Sequence, residues 1–172
     1  GHLDFGENKV QEAVEKWSNV KNEIKNIKLH MVGKLQTNKV KYVIPLFDYI
    51  HSLDNLKLAE KISSEQIKKN KKLKIFIQVN IGNEHQKNGI NIDQIENFYN
   101  ECSKNMGLDI VGLMCLPPQF EKPIKFFEKM FELNNKLDLN ELSMGMSNDY
   151  IDAAKTHSTF LRIGSKIFGS RK

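Results

Sequence analysis

Short apolar runs alternate along this chain with longer stretches in which apolar residues return every three or four positions. Lys74 to Ile81 (KIFIQVNI) is the clearest run, with the near-continuous apolar character of a parallel strand covered by helices. Just before it, Leu56, Ala59, Ile62 and Ile67 fall on or near one face of an amphipathic helix. Val10, Ala13, Val14 and Trp17 mark another such stripe. Read this way, the pattern predicts seven strands: Asp4–Gly6, Leu29–Leu35, Tyr49–Ser52, Lys74–Ile81, Leu108–Leu116, Leu142–Met146 and Phe160–Ile163. Between them, Asp54 and Asp93 are expected to cap helices, Pro45 to close one, and Pro123 to stand in a first turn.

Strand and helix alternate from end to end with short connections and no low-complexity linker. Residues 1–172 therefore predict a single α/β domain, a parallel sheet with helices outside it. A closed (β/α)₈ barrel needs eight strands. Seven candidates imply either an open sheet or a barrel lacking one βα unit in the sequence given.

Composition narrows the class without changing it. Hydrophobic residues make up 40% and charged residues 27% of 172, as in ordinary soluble domains. No apolar run is long enough to cross a bilayer, and residues 1–20 carry no leader-like apolar core, so a membrane role is not expected. Cys102 and Cys115 have no partner spacing typical of zinc or a disulfide framework, which points to free thiols in a reducing, cytoplasmic setting. The net charge of +5 raises nucleic acid as a partner. Only Lys68 to Lys74 (KKNKKLK) concentrates that charge, with no interleaved aromatic, so a solvated helix end is the preferred reading and a nucleic-acid module is disfavoured.

Candidate chemistry gathers near the end of the chain. Leu142 to Asp149 (LSMGMSND) and Phe160 to Arg171 (FLRIGSKIFGSR) each read as a strand breaking into a Ser/Gly turn before a helix, where unpaired backbone N–H groups can hold an anion. Gly145 and Gly164 would let the main chain approach it, and Arg162 would aim a fixed fork of donors the same way. Asn8, Gln36, His51, Ser52, Asn80 and Met114 also follow or end strand candidates, and in a parallel barrel such ends converge on one mouth. Singly, each reads better as a cap, a half-buried histidine or core filler; their recurrence at one level favours a ligand site.

Several segments together carry a resemblance: GENKVQE (Gly6–Glu12), GKLQTNKVK (Gly33–Lys41), IHSLDNLKLAEKI (Ile50–Ile62), IQVNI with Lys87 and Gly89, GLM (Gly112–Met114), LSMGMSND and RIGSKIFGSR. In that order, over nearly the whole chain, they resemble the pyridoxal-phosphate homeostasis proteins, stand-alone relatives of the alanine racemase barrel domain. The resemblance implies a TIM-type barrel holding pyridoxal 5′-phosphate at its strand ends for cofactor carriage, without catalysis. It places the phosphate on Ser143, Ser147 and the Gly164–Ser165 turn, sets Arg162 against the pyridine nitrogen, and lines the ring with Asn8, His51 and Met144. It implies pyridoxal-phosphate-dependent apo-enzymes as partners, and a monomer for the complete fold.

The family attaches its cofactor to a lysine on a first strand that would precede Gly6, and the sequence given begins at Gly1, so weakened covalent binding is expected. Lys87 is the one candidate to substitute. Lys34 and Lys166 depart from the family pattern without removing a phosphate contact. A racemase-like enzyme is the rival, but it would need that lysine and a tyrosine from a second domain.

Overall fold

Each predicted strand forms in the computed structural model, which describes residues 1–84 and 88–169. They are β1 (Asp4–Glu7), β2 (Lys28–Met31), β3 (Tyr49–Leu53), β4 (Lys74–Val79), β5 (Asp109–Cys115), β6 (Glu141–Met146) and β7 (Phe160–Arg162). All pair in parallel with their sequence neighbours, giving one sheet in the order β1 to β7. The connecting helices are α1 (Val10–Glu23), α2 (Val40–Leu46), α3 (Leu56–Lys69), α4 (Ile95–Asn100), α5 (Ile124–Lys136) and α6 (Tyr150–Lys155), with a last short α7 (Ser165–Phe168).

The sheet curls until distant strands touch through its middle. His51 on β3 bonds Ser143 on β6, and the ring of His30 on β2 lies 5.7 Å from that of Phe160 on β7. Seven parallel strands therefore make a nearly closed barrel; among the described residues β1 and β7 do not pair with each other.

The strand pleat sorts side chains into two cores. Leu29, Ile50, Ile75, Ile77, Leu113 and Leu142 face outward, burying against Trp17, Ile44, Ile62 and Phe127 of the surrounding helices. Facing inward, Tyr49, Phe76 and Met114 pack with Val111 and Phe160. The outer core supplies most of the apolar burial, and the inner one fills the barrel.

Local ends differ from expectation in four places. β2 stops at Met31, because Gly33 must pass against the main chain of Asn8: an added Cβ there would sit 2.2 Å from the Asn8 carbonyl oxygen. Pro45 lies inside α2 rather than closing it. Asn55, not Asp54, caps α3, its Oδ1 accepting the Leu58 N–H at 2.9 Å. Asp93 lies within a 3₁₀ turn (Ile92–Gln94) leading into α4 and does not cap it.

The lysine run is used internally. Lys71 donates to the carbonyls of Pro45 and Phe47, Lys68 pairs with Glu65 at 3.5 Å, and Lys74 lies 5.8 Å from the Tyr49 ring centre.

Candidate functional site

The two Ser/Gly corners meet. Met146 and Arg162 are register partners on β6 and β7, so the turns that follow leave the sheet side by side. Ser147 Oγ accepts the N–H groups of Gly164 and Lys166, both at 3.3 Å. Its own proton has no acceptor among the described residues. A Cβ built on the exposed Gly164 would meet no atom within 4 Å, so this turn faces open space. Gly145 serves a different end. Its φ of +91° and a would-be Cβ 2.5 Å from that of Ala153 show a close approach of β6 to α6. Ser165 is exposed, and Lys166 Nζ sits 4.7 Å from the Tyr150 ring centre, so positive charge stands beside the corner.

Arg162 lies at the same end, half-buried, with NH1 donating to Ser143 Oγ at 2.7 Å and NH2 to the Cys115 carbonyl at 2.8 Å. From Ser143 a polar chain runs down the barrel interior. Ser143 Oγ is 2.8 Å from His51 Nδ1, His51 Nε2 is 3.0 Å from His30 Nδ1, and His30 Nε2 is 3.1 Å from Asp4 Oδ1. Both imidazoles are clamped by rings: His30 stacks on Tyr49 and His51 on Phe76, each at 4.3 Å, with Phe160 against both.

Burial, reinforced by His30 and the Arg162 guanidinium, holds the His51 imidazole well below its ordinary 6.5; burial also lowers His30, against the pull of Asp4. The titratable or charged groups near His51 are His30 on β2, Tyr49 on β3 and Arg162 on β7, with Asp4 on β1 beyond; Ser143 and Phe76 are neutral. An unfolded chain protonates these histidines near 6.5 while the folded chain resists, so stability is lost as pH falls below that value. Above it neither contributes. The expected slope is at most about 1.4 kcal/mol per pH unit for His51. Denaturation midpoints at pH 7.5 and 5.5 check this, and His51→Gln should flatten the difference.

The structure separates the expected site residues. Ser147, Gly164, Ser165 and Arg162 gather at the mouth. Asn8 follows β1, exposed, its side chain without a hydrogen bond among the described residues and without the helix-capping role its position suggests. Ser143 and His51 are brought to the interior instead, 0% and 1% exposed, with Ser143 bonded to His51 and Arg162. Met144 leaves the site altogether: the strand pleat turns it into the outer core, opposite Ser143. Asn80 is spent on its own loop, bonding the backbone of Glu84 in both directions. Lys87 lies outside the described residues. Sequence reasoning missed Asp4 and His30. The signal available was a histidine at an inward position of an otherwise apolar strand, LHM, matching His51 in IHS.

Fold and corner pair together define a barrel of the alanine racemase class. The model of the alanine racemase N-terminal domain family matches residues 1–172. Alanine racemase of Clostridium difficile shares the fold at a TM-score of 0.75 and 15% identity, over 99% of this chain and 46% of that one. Within the class, the chain belongs to the pyridoxal phosphate homeostasis protein family. It is 36% identical to the family's Aquifex aeolicus protein, over 98% of this chain and 77% of the relative, and 31% identical to the Escherichia coli K12 protein over 99% and 77%. PipY of Synechococcus elongatus, solved with PLP bound, superposes at a TM-score of 0.90 with 30% identity, over 98% of this chain and 82% of PipY.

Proposed function

We propose that this chain binds pyridoxal 5′-phosphate at the barrel mouth and carries it, without turning over an amino acid. The observation that carries the reading is the convergence of the Gly164 and Lys166 N–H groups on Ser147 Oγ, beside open space and one strand end from Arg162. A hydroxyl with a proton to spare, two backbone N–H groups that a phosphate oxygen could take over from it, and neighbouring positive charge fit a phosphate. Ser147 and the Gly164–Ser165 turn would hold it, and Asn8 would reach the ring. Arg162 would face the pyridine nitrogen. A guanidinium can only donate, so it favours an unprotonated ring nitrogen and a poorer electron sink, which suits carriage over carbanion chemistry.

Relatives named for pyridoxal phosphate homeostasis, and PipY with PLP bound, support the ligand. On this reading residues 1–172 work as one barrel domain in the cytoplasm, with pyridoxal-phosphate-dependent apo-enzymes as recipients. Calorimetric titration with pyridoxal phosphate and with pyridoxal tests the phosphate site. Pyridoxal should bind at least about 100-fold more weakly, a difference of about 2.7 kcal/mol. Equal affinities, or no binding of either, would refute the assignment.

A further inference from the structure

Arg162 brings a permanent charge into a half-buried site, yet its hydrogen-bond partners among the described residues, the Ser143 hydroxyl and the Cys115 carbonyl, are neutral, and the Asp149 carboxylate acts on it through space without a hydrogen bond. The nearest carboxylate in its hydrogen-bond chain is Asp4, four links away at the end of the barrel opposite the mouth and 48% exposed.

We infer that Asp4, His30 and His51 are positioning residues for Arg162, joined in a chain of one fixed direction in which both imidazoles carry their proton on Nε2. This rests on the reading of Arg162 as the partner of the ligand ring.

The direction follows from the two ends. An ionised carboxylate only accepts, so His30 must present Nε2–H to Asp4. A neutral His30 then has a bare Nδ1, which takes the Nε2–H of His51. The bare Nδ1 of His51 takes the Ser143 proton, and the Ser143 oxygen is left to accept from Arg162, which only donates. Every link has one donor and one acceptor. The opposite tautomers would set a bare His30 nitrogen 3.1 Å from the Asp4 oxygen.

Because Arg162 keeps its proton, the chain does not conduct protons to the mouth. It transmits orientation and polarisation, each bond strengthening the next in a low-dielectric interior. The stacked rings of Tyr49 and Phe76 hold the imidazole planes in place. Arg162 thereby has NH1 and NH2 fixed inward, and its remaining donors keep a constant aim.

The test is long-range ¹H–¹⁵N correlation on the full chain with labelled histidine and arginine. Nε2–H tautomers at both His30 and His51 at pH 7 are expected; an Nδ1–H tautomer or an imidazolium at either overturns the inference. Asp4→Ala should shift the nitrogens of His51 and Arg162 Nε as well as those of His30, and weaken pyridoxal phosphate binding about 2- to 30-fold. Asp4→Asn keeps an acceptor oxygen and should restore the wild-type tautomers. Shifts confined to His30 in Asp4→Ala would sink the chain. If Asp4→Ala does not fold, the wild-type tautomers and Asp4→Asn still decide. A wild type that ignores pyridoxal phosphate refutes the proposed ligand but leaves the tautomer result standing.

Discussion

Replacing Gly112 by alanine is expected to cost this protein about 3 kcal/mol or more of folding stability, the upper end of what overpacking does. Gly112 sits in β5 opposite Glu141 of β6, where an added Cβ would lie 1.9 Å from the Glu141 carbonyl oxygen and 2.6 Å from its carbon. Those atoms are backbone in a paired strand, so no side-chain rotation relieves the overlap; the two strands must part or slip. Gly164→Ala is the control. Its Cβ would meet nothing within 4 Å and its φ is negative, so it should cost less than Gly112→Ala by about 2 kcal/mol or more. Urea denaturation of both variants reads the contrast, and equal midpoints would contradict the packing described for β5 and β6.

The second large effect concerns binding. Ser147→Asp should abolish pyridoxal phosphate binding, by roughly 100-fold or more, while leaving the fold intact. The Gly164 and Lys166 N–H groups that now reach Ser147 Oγ would hold the new carboxylate instead, a stronger acceptor than a hydroxyl. A phosphate arriving there would meet an anion already seated, and like charges at that distance cost several kcal/mol. Ser147→Ala removes the hydroxyl without adding charge and should weaken binding less. A variant that melts like wild type and no longer binds fits the site; retained affinity in Ser147→Asp would move the phosphate elsewhere.

The parallel sheet was legible because strand and helix periods differ so plainly along the chain, and all seven strands stand where the apolar runs lie. The corner pair was legible for the same local reason: a serine and a glycine each break a strand before a helix. What the pattern did not resolve was depth. Ser143 and Ser147 are alike in sequence and both buried, 0% and 7% exposed, but one lies within β6 and bonds into the barrel while the other lies in the turn just past its end. Strand alternation alone argued against pairing Ser143 with Met144 as neighbours of one ligand, since adjacent residues face opposite ways. The link from Asp4 to His30 to His51 joins residues on three strands, and nothing local to any of them announces it. Asn55 displaced Asp54 as a cap by one position, the ordinary limit of reading a helix start from residue type.

The division of the sheet into an aliphatic outer side and an inner one that mixes aromatic rings with the polar chain has a cost that no single exchange of residues exposes. Leu142 and Ser143 are chain neighbours with unrelated duties, kept apart only by counting. Dropping or adding one residue within β6 would turn Ser143 toward the helices and Leu142 into the barrel, undoing the support of Arg162. Such a strand can therefore vary in spelling far more readily than in length, and growth or shrinkage of the chain belongs in the loops between strands.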